Sequence, residues 1–210
     1  MENFFSILFS LSLFYVAITF RVKAYVSVLR FQGILLALLL ILPFIFKFSI
    51  YAIILPLTIV LIKVILIPNY INKIILDLDI KRKIDPTIQQ LTFLIIVIAS
   101  VIIIFLLTSI ISNNIELNVI PFASGFSAIV VGIYLIIFRK KLIIHVCGFL
   151  ILENGIFLIS TAIASELPMM IELGILLDVF VVVFLMGIAL NRISDTFEGF
   201  EVSHLRRLKD

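Results

Sequence analysis

The sequence predicts an all-α polytopic membrane protein of seven transmembrane helices, with the N-terminus outside and the C-terminus cytoplasmic. Composition is the first observation. Of 210 residues, 63% are hydrophobic and only 14% charged, whereas a soluble domain is about half apolar and about a quarter charged. So few charges cannot coat a water-facing surface, and a mean hydropathy of +1.34 makes lipid the solvent. The second is a recurrence of apolar runs near the ~20 residues a bilayer requires of a helix. The third is an alternation of basic residues between successive loops.

The spans follow in order, each helical because lipid gives a free backbone group no partner. The first covers roughly residues 4–20 and is read as retained, since Met1, Glu2 and Asn3 form no basic leader. The second, roughly 31–46, is short and borrows from 26–30 or ends near Pro43. The third covers roughly 49–67 and places Lys63 four or five residues from its end, within snorkelling reach of the surface. Residues 69–88 space Ile71, Ile74, Ile75 and Leu78 among charges, which suggests a short amphipathic helix on the cytoplasmic surface, a docking face or a solvated connector. The remaining spans are roughly 89–111, 117–138, 142–164 and 168–190. Tyr25, Tyr51 and Tyr70 fall near span ends and read as the interfacial belt in a chain without Trp. Three regions result: a four-helix part at 1–111, a three-helix part at 112–190 and a cytoplasmic tail at 191–210.

Charge orients the bundle. Arg21, Lys23, Arg30, Lys73, Lys81, Arg82, Lys83, the run Arg139-Lys140-Lys141, and Arg192, Arg206, Arg207 and Lys209 fall on one side, fourteen in all, against Lys47 alone on the other. Basic loops stay in the cytoplasm, so this pattern requires an odd number of spans in a multi-pass protein of the cell membrane. The basic excess therefore speaks of orientation and not of nucleic acid. One Cys and two His, with no zinc spacing and no glycine-rich phosphate loop, leave a chain read as binding no cofactor or metal of its own.

Function is sought where the bilayer makes chemistry costly. An ionised side chain at mid-span costs about 2.5–3.5 kcal/mol on insertion scales and is a functional candidate by default. Lys63, His145, Glu153, Glu172 and Asp178 qualify. At ~1.5 Å per residue, Glu153 lies ~16 Å and Asp178 ~18 Å from the cytoplasmic end, on spans joined by a short loop. Two acids thus share one level near mid-bilayer, with His145 below and Glu172 above as rungs of a proton ladder. The competing reading is structural. The acids fix helix pairing or pair with Lys63, Glu172 is a solvated acid near a helix start, and His145 is interfacial.

The run Arg139-Lys140-Lys141, then Gly148, then Leu152-Glu153-Asn154-Gly155-Ile156 resembles component E of hydrogenase-4 and the related membrane subunits of formate hydrogenlyase. Residues 63–68 (KVILIP) are similar to that family's third-span ending. The last three spans of the family resemble the NuoK subunit of respiratory complex I and the C subunit of Mrp-type antiporters. On that likeness Glu153 and Asp178 take the parts of the two span carboxylates, with Glu153 displaced by about one helical turn. The resemblance implies a non-redox membrane subunit of a NiFe hydrogenase or formate hydrogenlyase complex. Its partners would be antiporter-like membrane subunits and, through the cytoplasmic loops, the peripheral hydrogenase arm. Its acids would form part of a proton or ion path driven by electron transfer elsewhere. The alternatives are a NuoK-like antiporter subunit, a stand-alone small transporter, and a scaffold without transport.

Overall fold

The computed structural model describes residues 1–42, 56–77, 89–112 and 118–163, with residues 174, 177, 178, 180, 181, 184 and 187 beyond them. Among these residues all regular structure is helical. The helices are α1 (Glu2–Ile18), α2 (Val22–Ile41), α3 (Pro56–Leu76), α4 (Gln90–Ser112), α5 (Val119–Phe138) and α6 (Leu142–Ile163). Five of them, α2 to α6, are long and apolar enough to cross a bilayer, while α1 has 17 residues. Most of the seventh expected span, at 168–190, lies outside the described residues; those described within it are helical.

Two boundaries differ from the sequence expectation. The second span was placed at 31–46, but α2 starts at Val22, so the first connection shrinks to residues 19–21. Lys23 and Arg30 are therefore helical and not loop residues. The helix accepts them because Val22, Tyr25, Val26, Val28 and Leu29 take the buried positions while Lys23 and Ser27 face outward. Tyr25 is likewise no belt residue: it is fully buried in the core. The third span was expected to end near 67, with a separate surface helix after it. Instead the helix continues through Ile67–Asp77. Ile67, Ile71, Ile74 and Ile75 recur at helical spacing and are buried, and Arg30 donates to Asn69 Oδ1 at 2.5 Å, tying α3 to α2. Residues 78–88 lie outside the described residues.

α3 holds a local irregularity. Residues Val60–Leu66 wind as a π-helix centred on Lys63, and the Ile67 amide donates to Ile62 O. Pro68 follows directly and has no N–H to give to the turn behind it. A widened turn in front of such a proline is a recognised way to absorb the missing bond.

The bundle is laid out around one intimate contact, between α5 and α6. α1 packs on α2, α4 and α5, α2 packs on α3 and α6, and α5 packs along α6. The α5–α6 contact runs through two glycine pairs. A Cβ on Gly125 would lie 2.6 Å from Gly155 O, and one on Gly132 would lie 2.5 Å from Gly148 O. Only bare backbone fits there, and in lipid such close approach supplies much of the helix–helix attraction. This contact fixes the rotation of α6 and so aims Glu153 and Asn154 inward.

Candidate functional site: a buried lysine between two carboxylates

Lys63, Glu153 and Asp178 converge in the interior. Lys63 Nζ donates to Glu153 Oε1 at 2.6 Å and lies 3.4 Å from Asp178 Oδ2. All three side chains are buried; relative exposure is 7% for Lys63, 4% for Glu153 and 1% for Asp178. Lys63 does not snorkel. With α3 extended to Leu76, it stands mid-helix and points at α6. Two glycines make the room. A Cβ on Gly33 of α2 would come within 3.2 Å of Lys63 Cβ, and one on Gly174 within 3.3 Å of Glu153 Oε1. Gly174 and Asp178 are four residues apart in helical conformation, so both face α6.

The charges do not balance one to one. Among the described residues a single ammonium meets two carboxylates, which sense each other as well as the lysine. Glu153 Oε2 and both oxygens of Asp178 accept no hydrogen bond among the described residues. Buried anionic oxygens without donors are costly. Beside them Lys63, Asn154 and Asp178 border a hollow with ≈ 10 Å³ of room for a water's centre, lined also by Leu29, Ile67 and Leu150. That is about the space of one water molecule.

The cluster continues into neutral polar residues: Asn154, the neighbour of Glu153 in the sequence, and then Gln32 and Ser12, which sequence reasoning did not single out. Lys63 Nζ also donates to Asn154 Oδ1 at 3.1 Å. Asn154 Nδ2 donates to Gln32 Oε1 at 3.2 Å, and Gln32 Nε2 donates to Ser12 Oγ at 2.9 Å. Ser12 Oγ donates in turn to Phe9 O at 2.6 Å. Gln32 and Ser12 are buried on α2 and α1. The only signal in the sequence was a glutamine in an otherwise apolar run.

The other candidates stand apart. His145 is half-buried, two turns before Glu153 on α6, and its Nε2 lies 2.5 Å from Arg139 O. It closes the α5–α6 connection and does not touch the acids. Glu172 lies outside the described residues. Arg139, expected in a solvated basic loop, is 3% exposed. Both its Nη atoms donate to Gln90 Oε1 at 3.2 Å, and its guanidinium sits 4.5 Å from the centre of the Phe93 ring. Gln90 passes the contact on to Ala17 O. Among the described residues no group of three or more His, Cys, Asp or Glu side chains is placed to hold a metal.

Comparison with known proteins adds one distant likeness. Over 133 residues the chain is 25% identical to the uncharacterized protein Rv0085 of Mycobacterium tuberculosis, a match covering 62% of this chain and 60% of that protein. No family model matches the sequence, and no solved structure matches it.

Proposed function

We propose that this chain is a seven-span, proton-handling membrane subunit in which Lys63, Glu153 and Asp178 form a relay station. Its setting would be a non-redox position in a NiFe hydrogenase or formate hydrogenlyase-type complex, beside antiporter-like subunits. The observation that carries the reading is the odd carboxylate. A buried pair of one lysine and one acid is complete in itself, and removing either partner is what costs. A second acid on the same lysine leaves a cluster that is electroneutral only when it also holds one proton. Such a site can accept and pass on a charge without moving a helix. The complex named here rests on the sequence resemblance, and the relay rests on the cluster.

The geometry also supports the proposed orientation. Met1, Glu2, Asn3, Leu42 and Asn118 border one hollow, so the starts of α1 and α5 and the end of α2 share a face. Gln90, Arg139 and Ala17 meet at the opposite ends of α4, α5 and α1. Arg21, Lys23 and the run Arg139-Lys140-Lys141 belong to that second face, which the positive-inside rule assigns to the cytoplasm.

The 2.6 Å contact between Lys63 and Glu153 favours a second reading, a purely structural ion pair. Replacing the chromosomal copy with Asp178→Asn decides between them. Proton uptake by inverted membrane vesicles falls at least about tenfold while the chain stays at wild-type abundance in its complex, if Asp178 relays. Unchanged uptake, or loss of the whole complex, leaves the scaffold reading in place.

A further inference from the structure

The hydrogen bonds that run away from the cluster have a direction, and that direction is fixed at the far end. Phe9 O is a backbone carbonyl and can only accept. Ser12 therefore spends its single proton on it, at 2.6 Å, and its oxygen is left to accept. Gln32 must then turn its NH₂ toward Ser12, which turns its carbonyl toward α6. Asn154 must in turn present NH₂ to Gln32 and carbonyl to Lys63. Each amide orientation follows from the one before it, so no step depends on which way a symmetric-looking amide is drawn. The outcome at Lys63 is an acceptor that cannot become a donor.

We infer that Gln32 and Ser12 are positioning residues of the relay: through Asn154 they hold Lys63 Nζ in place between the two carboxyls, so that both acids stay within reach of one lysine. This deepens the proposed function and rests on it for its role in transport, though not for its chemistry. When Glu153 takes a proton, Lys63 loses its closest counter-charge. Asn154 Oδ1 remains, because its dipole is locked by the chain from Phe9. The lysine then keeps its place and the next transfer starts again from an acid. Among the described residues the charged groups facing Lys63 are Glu153 from α6 and Asp178 from the last helical residues. α1 and α2 contribute only the neutral Ser12 and Gln32 here, since Arg30 is turned to Asn69.

The test reads the lysine's place directly. The full chain, labelled with ¹⁵N-lysine and ¹³C-asparagine and reconstituted in lipid, is examined by solid-state NMR, with the Lys63 signal assigned by its loss in Lys63→Met. Wild type gives a through-space cross-peak between Lys63 Nζ and the Asn154 side-chain carbonyl, as their 3.1 Å hydrogen bond requires. In Ser12→Ala and Gln32→Leu that cross-peak is lost, because nothing then fixes the orientation of the Asn154 amide. Ser12→Thr keeps both a donor and an acceptor at the same place and restores it. If Ser12→Ala keeps the wild-type cross-peak, the chain is only packing and the inference is overturned. Ser12→Ala removes a single oxygen, so it remains informative should Gln32→Leu fail to fold. The readout needs no transport. A protein whose variants lose the cross-peak as described but whose wild type moves no protons would sink the proposed function and leave the positioning role standing.

Discussion

Lys63 has three partners within 3.4 Å, and removing it strands all of them. Lys63→Met leaves two buried carboxyls with no cation. On the scale of broken buried pairs this costs about 3–5 kcal/mol, read as a fall in the melting temperature of the purified chain in detergent. Lys63→Met combined with Glu153→Gln removes one of the stranded acids and recovers part of the loss. A double variant no more stable than Lys63→Met alone would contradict the picture of a shared counter-charge. The acids themselves were legible in the sequence, because an ionisable residue in an apolar run stands out and helical rise places it in depth. That arithmetic put Glu153 and Asp178 at one level, and both lie against Lys63 in the structure. Gln32 and Ser12 were not legible. Neutral polar residues are cheap enough in a span to pass unnoticed, and only the direction of their hydrogen bonds makes them informative. Arg139 was misread for the opposite reason. A basic triplet at a helix junction looks solvated, yet its first member is covered by Phe93 and Gln90.

The elements follow the same division. Apolar runs announced the helices, and α4, α5 and α6 begin and end within about two residues of their expected places. α2 and α3 did not, because polar residues on one face of a helix look like a break when hydropathy is averaged around it. The α5–α6 seam carries no GxxxG spacing that would announce it in the sequence. Its glycines are seven apart on each helix, at 125 and 132 and at 148 and 155, and pair in antiparallel order. Gly132→Ala must drive its Cβ into Gly148 O, so the helices separate and the chain loses about 1–3 kcal/mol, measured by unfolding in a denaturing detergent. Gly187→Ala is the matched control. Among the described residues a Cβ there meets nothing within 4 Å, so its unfolding curve does not fall below wild type. Equal losses in both would mean that the two glycines act through backbone freedom and that close helix approach is not what Gly132 supplies.

At the scale of the whole molecule, the bundle separates its charges by end and conserves its polarity for the interior. One face gathers Glu2, Asn3 and Asn118, and the other gathers Arg21, Lys23 and the 139–141 run. Helix by helix α1 to α6 alternate between these faces, and the cluster lies between them, reached from α3, α6 and the helical residues around 178. A proton path through the cluster has meaning only if the two faces meet different compartments, so orientation is the property the proposal most depends on at this scale. Cysteine labelling measures it. Cys147 is buried and is replaced by Ser to leave a silent background. Asn3 and Lys140 are both exposed, at opposite ends of the bundle. In intact cells a membrane-impermeant maleimide labels Asn3→Cys and leaves Lys140→Cys unmodified until the cells are opened. The reverse pattern would invert the chain and overrule the basic residues. Labelling of both from one side would mean that the intervening helices do not carry the chain across, and the cluster would then lie between two regions of the same solution with no gradient to relay.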